Sequence, residues 1–164
     1  MREIVMNILY ICTHNRCRSI LSEAITRQKA QGLIHAMSAG SQPSGKVHPL
    51  SLQYLAEAGY NTDNLTSKSW DSLTDDKGNN FVPDVVITVC DQAAGESCPL
   101  WLGQTPILHW GLSDPSKLEG SDEQKRDAFL ATIQQIEQRV DKLVEIAKLP
   151  KDEQIFALQK IIPA

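Results

Sequence analysis

The chain has 164 residues, 41% hydrophobic and 22% charged, a size for one domain that buries roughly 70% of its unfolded surface in a single core. Sixteen Lys and Arg oppose twenty Asp and Glu, a net charge of −4, which excludes the broad basic surface that nucleic acid or anionic lipid demands. Any anion the protein handles has to be held locally.

The segment Met1 to Ile11 holds an apolar run of only about seven residues and meets Arg16 and Arg18 soon afterwards, so neither a signal peptide nor a membrane span is expected. The expected location is cytoplasmic. Thiols stay reduced there, and a core of this size needs no disulfide staples, so the four cysteines are to be read by position.

Val5 to Ile11 is apolar enough for a strand buried on both faces. A polar, basic stretch starts at Cys12. A helix follows from about Ser19 to Ala30, with Ile20, Leu21, Ala24 and Ile25 at helical spacing and Gly32 as its stop. Ile34 to Ala39 reads as a second strand. Pro43 and Gly45 make 40–47 a loop, and Pro49, at a first helical position, opens a helix through Leu52, Leu55 and Ala56 to Gly59. Residues 61–80 are polar and show no clear period; the cluster from Asp75 to Asn80 is a surface turn.

Asp84 to Cys90 is a third strand, with consecutive β-branched residues from Val85 to Val89 and Pro83 just before them. Pro106 to Trp110 is a shorter fourth, followed by a loop from Gly111 to Gly120. Ser121 then begins a long helix, with Gln124 completing a capping box and an apolar stripe at Phe129, Leu130, Ile133, Ile136, Val140, Leu143 and Val144. Strands alternating with helices predict an α/β fold: one domain over residues 1–150, a four-stranded, mainly parallel sheet with helices on both faces. Pro150 sets off a short amphipathic tail, 151–164, expected to pack back on the core. In such sheets function sits at the carboxyl ends of strands, where the first strand delivers Cys12, the third Cys90, and the fourth leads into Asp114.

Cys12-Thr13-His14-Asn15-Arg16-Cys17-Arg18-Ser19 spans five residues between a cysteine and an arginine, set between a buried strand and a helix start. Successive N–H groups of such a loop form an anion-binding nest, and the helix dipole adds positive potential there. A tetrahedral oxyanion is the natural occupant of residues 13–19. Arg18 closes the cradle with a two-pronged guanidinium. Cys12 lies beneath the central atom, and the same field favours its thiolate, the required nucleophile. Asn15 braces the loop through side-chain bonds to backbone, and Ser19 donates its hydroxyl to the thiolate. Cys17 reads as a packing residue, and His14 sits where an imidazole tunes the nest. A zinc site remains an alternative for Cys12 and Cys17, although the seven residues between Cys90 and Cys98 fit ligand spacings poorly.

These residues resemble the low-molecular-weight protein tyrosine phosphatase superfamily and, within it, the arsenate reductases that share its fold. The resemblance runs over residues 4–148 and rests on CTHNRCRS at 12–19, Ser38-Ala39-Gly40, Val47-His48-Pro49, Thr66-Ser67-Lys68, Asp114-Pro115 and VCDQAAGESCP at 89–99. A phosphatase needs no further thiol, whereas a reductase takes two electrons from sulfur, and Cys90 and Cys98 supply that pair.

The resemblance implies that Cys12 attacks arsenate held by the loop and Arg18 while Asp114 protonates the departing oxygen. Cys90 then attacks Cys12 to release arsenite, and Cys98 carries the disulfide outward to an external thiol reductant. It implies no metal and no tightly bound cofactor, arsenate as substrate with phosphate competing, and a monomer. Thioredoxin is the favoured reductant. Glutaredoxin with glutathione is the alternative, because the Cys90 to Cys98 gap is one residue longer than in the best-known thioredoxin-coupled reductases. A tyrosine phosphatase is the competing activity, although Ser116 and Lys117 stand where that branch usually carries ring-stacking aromatics. A non-catalytic oxyanion sensor is the third possibility. Whether Glu23, Asn15 and Ser38 hold a monovalent cation, as in some relatives, is left open.

Overall fold

The computed structural model describes residues 6–73, 81–90 and 105–160. Its elements in chain order are β1 (Met6–Cys12), α1 (Arg18–Lys29), β2 (Ile34–Gly40), α2 (Pro49–Glu57), a 3-10 turn (Trp70–Leu73), β3 (Val85–Thr88), β4 (Ile107–His109), a second 3-10 turn (Pro115–Lys117), α3 (Asp122–Ala147) and α4 (Lys151–Lys160). The strand order is β2-β1-β3-β4 and every ladder is parallel. From β1 the chain crosses to one side to form β2 and later to the other to form β3. The topological switch point therefore lies between β1 and β3, where ligands bind in open α/β sheets.

Strand alternation divides the core. Ile8, Tyr10 and Cys12 of β1 join Val85 and Ile87 of β3 and the apolar residues of α1, α2 and α3 in the larger cluster. Leu9 and Ile11 point the other way, to Ala39 and Val86, with Met37 and Phe81 against them. Burying each large apolar side chain contributes about 1.5–3 kcal/mol, so β1, almost wholly buried, anchors the sheet. Trp110 is buried between the ring of Tyr10, centroids 5.5 Å apart, and the guanidinium of Arg139, 5.6 Å from the ring centroid.

Two sequence expectations differ in extent. β3 ends at Thr88 and β4 spans three residues; ladder pairing with β4 stops at Thr88↔His109, so Val89 and Cys90 leave the sheet despite their β-favouring neighbours. The expected loop at 111–120 contains the turn that Asp114 caps, with Pro115 at its start. The capping box of α3 forms as read: Ser121 Oγ accepts from the Gln124 N–H at 3.1 Å, and Gln124 Oε1 accepts from the Ser121 N–H at 2.9 Å. The expected surface turn at Asp75 to Asn80 lies outside the described residues.

In α4, Leu158 and Gln154 are buried, and the Gln154 amide donates to the carbonyls of Ala147 and Leu149, satisfying the end of α3. Among the described residues no helix is long and apolar enough to cross a membrane.

Candidate active site

β1 stops at Cys12 because the next residues turn outward, and α1 begins six residues later at Arg18 with Cys17 as its N-cap. The loop between them is held by its carbonyls. The carbonyl of Thr13 accepts from the Gln42 N–H, that of His14 from the Ser44 N–H and the Ser67 hydroxyl, and that of Arg16 from the His48 N–H. In a trans peptide the following N–H points opposite to the carbonyl. Outward carbonyls thus turn the N–H groups of His14, Asn15 and Cys17 inward, and that of Asn15 lies 3.3 Å from Cys12 Sγ. Inward-facing N–H groups in succession have the geometry of a backbone nest.

Asn15 locks the loop from below, in the left-handed region at φ 48°. Its amide donates to Ser19 Oγ at 2.8 Å and Ser38 Oγ at 2.9 Å, and its Oδ1 accepts from the Lys68 N–H at 2.9 Å. Two of the three bonds go to hydroxyls, where sequence reasoning expected backbone. Because Ser19 Oγ accepts from Asn15, its own hydrogen is available to Cys12 Sγ, 3.1 Å away. Gly40 is required on the outside of the loop: a Cβ there would stand 2.5 Å from the Thr13 carbonyl oxygen and 2.8 Å from that of Cys12.

Arg18 is buried, 6% exposed, with one Nη donating to the Leu112 carbonyl at 2.8 Å and the other 3.6 Å from Asp114 Oδ2. Cys12, Thr13, His14, Arg16, Cys17, Arg18, Gln42, Asp114 and Lys117 line one cavity of about 330 Å³. Among the described residues, three cationic side chains and one carboxylate line it, a locally positive balance in an acidic chain. Among the described residues no Phe, Tyr or Trp lines the cavity. Cys17 is a buried free thiol pushed up to about 12 by burial and then by the Asp114 carboxylate; it stays protonated and packs. His14 is exposed at the cavity wall.

Cys90 is buried and disulfide-bonded, whereas Cys12 and Cys17 are free thiols. Ile11 pairs with Thr88, and the Val89 N–H donates to the Ile11 carbonyl at 3.0 Å, so Cys90 follows directly beyond the residue level with Cys12. Cys98 lies outside the described residues.

Behind the loop, the buried Glu23 carboxylate accepts from the Ser38 hydroxyl, is ion-paired with Arg27, and has Lys68 Nζ 4.0 Å away. Burial pushes its pKa up, with Lys68, Arg27 and Ser38 opposing. Two cationic side chains already serve this one carboxylate, so Glu23, Asn15 and Ser38 do not fit a monovalent cation. Among the described residues no group of three or more His, Cys, Asp and Glu side chains gathers as metal ligands. Sequence reasoning assigned no role to Gly40, Gln42, Lys68 or Lys117. Gly40 and Lys68 stand in segments that carried the resemblance, but their contacts with the loop come from crossings the sequence does not display.

His48 links this site to acidity. Its Nδ1 caps α2 by accepting from the Leu50 N–H at 3.1 Å, while its backbone N–H holds the Arg16 carbonyl. Burial, then Arg16, holds its pKa below the ordinary histidine value, with Asp114 opposing and Lys125 assisting. The unfolded chain therefore takes up this proton first as pH falls. The resulting loss of stability is absent above the unfolded value near 6.5 and grows as pH drops towards the folded value. His48→Asn keeps a capping side chain without the titration. Between pH 7 and 5 its melting temperature should fall less than that of the parent, by on the order of 2 °C; thermal melts across that range check this.

Comparison with known proteins agrees with this architecture. A family model for low molecular weight phosphotyrosine protein phosphatase matches residues 7–155. An arsenate reductase of Bacillus subtilis is 31% identical over 141 residues, spanning 86% of this chain and 96% of its own. A glutaredoxin arsenate reductase of Synechocystis is 28% identical, over 84% of this chain and 95% of its own. A solved thioredoxin-dependent arsenate reductase of Corynebacterium glutamicum superposes with a TM-score of 0.61 at 31% identity, covering 90% of this chain and 64% of its own. A match that runs from the first strand through the last long helix and into α4 leaves little of the fold outside it: the chain belongs to the low molecular weight phosphotyrosine protein phosphatase family.

Proposed function

We propose that this protein is an arsenate reductase that converts arsenate to arsenite for arsenic detoxification, acting in the cytoplasm and recharged by an external thiol reductant. The observation that carries the reading is the pairing of two thiol positions across the switch point. Cys12 lies at the foot of an inward-facing N–H loop, and Cys90 emerges from the adjacent strand end. A phosphatase has no use for the second.

In the proposed sequence the Cys12 thiolate attacks arsenic, an As–O bond breaks, and Asp114 protonates the departing oxygen, which leaves as water. Arg18 and the loop N–H groups hold the remaining oxygens. The Cys90 thiolate then attacks Cys12 Sγ: the S–S bond forms, the S–As bond breaks, and its electron pair stays on arsenic, which leaves as arsenite after protonation. Cys98 attacks Cys90, freeing the Cys12 thiolate, and a dithiol reductant takes the new disulfide. Strands β1 and β3 are neighbours at roughly 4.8 Å, so the first disulfide asks only that the chain beyond Val89 turn its thiol towards Cys12, within the roughly 7 Å Cα separation such bonds need. Thioredoxin is the favoured reductant because a third thiol is otherwise unnecessary; one relative is named for glutaredoxin and one solved relative for thioredoxin.

Counting free thiols tests this. Fully reduced protein exposed once to arsenate without reductant should lose two of its four thiols and release one arsenite per chain, while phosphate causes no loss. Unchanged thiols after arsenate would instead identify a phosphatase or an oxyanion sensor.

A further inference from the structure

Asp114, Pro115, Ser116 and Lys117 form the short turn that brings a carboxylate to the cavity, and the two oxygens of that carboxylate are treated differently. Pro115 has no N–H to give, so Ser116 is the first residue after Asp114 able to donate from its backbone, and it does so to Asp114 Oδ1 at 2.9 Å. The Ser116 hydroxyl donates to the same oxygen at 2.6 Å, within the short range of O–H donors to a carboxylate. Asp114 Oδ2 receives neither bond. It stands 3.6 Å from an Nη of Arg18, the guanidinium that lines the same cavity.

We propose that Ser116 is a positioning residue for the reaction: by saturating Oδ1 it dedicates Oδ2 of Asp114 to proton transfer and keeps that oxygen aimed into the cavity. An oxygen that already accepts two hydrogen bonds is a poor seat for a further proton, so the transferable proton rides on Oδ2. The terminal torsion of aspartate is soft. With only the Ser116 N–H left, the carboxylate is free to rotate about that torsion and exchange its two oxygens, so that neither is dedicated to the departing oxygen. Ser116 itself does not line the cavity, so it acts through Asp114 alone. The inference rests on the reading of Asp114 as the acid that protonates the leaving oxygen.

The experiment is a double-mutant cycle read on the first turnover, the rate at which saturating arsenate removes two thiols from the reduced protein. Asp114→Asn should slow this step by roughly 10²–10⁴-fold, the range of general acid catalysis. Ser116→Ala should slow it by about tenfold through misplacement of that acid, with the arsenate concentration for half-maximal rate little changed. Ser116→Thr, which keeps the hydroxyl, should restore the rate, and in the Asp114→Asn background Ser116→Ala should add nothing. Thermal melts of each variant establish that it is folded. A slow Asp114→Asn with a Ser116→Ala at parental rate overturns the role of Ser116 and leaves the acid in place. An Asp114→Asn at parental rate overturns the acid itself, and Ser116 with it. An equal loss from Ser116→Ala in both backgrounds, or no recovery with Thr, shows a structural effect and also overturns the proposal.

Discussion

Cys90→Ser should abolish multiple-turnover arsenate reduction, by on the order of 10³-fold or more, the scale on which removal of a covalent participant acts. Cys90 follows Val89, whose backbone bonds to Ile11 of the neighbouring strand, and no other described residue offers a second thiol outside the loop, since Cys17 is buried, protonated and packed. Serine is close in size and Cys90 lies beyond the sheet ladder, so the fold should survive. The reductase assay, run with thioredoxin and separately with glutaredoxin and glutathione, should give no turnover in either arm. Because Cys12, Arg18 and Asp114 are untouched, any hydrolysis of an aryl phosphate by the parent should persist in the variant. Retention of full arsenate turnover by Cys90→Ser would mean that the relay does not run through this residue.

Arg18→Lys is the second large expected effect. The guanidinium divides its donors between the Leu112 carbonyl and the Asp114 carboxylate, and it does so almost fully buried. A lysine ammonium has three donors on one atom and cannot span these partners and an oxyanion together. Loss of a preorganised donor at developing charge typically costs about 2.7–4 kcal/mol, or roughly 10²–10³-fold in rate. Arsenate kinetics should show kcat/KM lowered by that factor, and phosphate should inhibit more weakly in parallel because both anions use the same cradle. A variant within threefold of the parent would remove Arg18 from the binding role.

The parts of the site that lie within a few residues of one another were readable in advance. The five-residue gap between Cys12 and Arg18, with a buried run before and a helical pattern after, announces an oxyanion loop because the spacing, the helix dipole and the residue types are all local properties. The Ser121 and Gln124 capping box was equally legible, since both partners lie within one turn. Strand limits were less so. Val89 and Cys90 have β-favouring neighbours, yet the ladder with β4 ends at Thr88 because β4 supplies only three residues. Pairing belongs to the partner as much as to the strand.

Sequence alone thus determined the fold class and named the candidate nucleophile, the candidate arginine and the surplus thiols on which the reductase reading rests. Periodicity and motif spacing carry that information along the chain itself. Only the tertiary structure decided the contacts that shape the loop proposed to hold the anion. Gly40, Gln42, Ser44, His48, Ser67 and Lys68 come from separate segments to hold its carbonyls, its outer face and Asn15. Folding likewise set two cations on Glu23, where the resemblance left room for a bound ion. It also placed Cys90 two residues beyond Thr88, the partner of Ile11 on the adjacent strand. Such neighbours are created by the crossovers that order the sheet β2-β1-β3-β4, and a pattern of hydrophobic residues specifies which face is buried without specifying which distant segment will cover it.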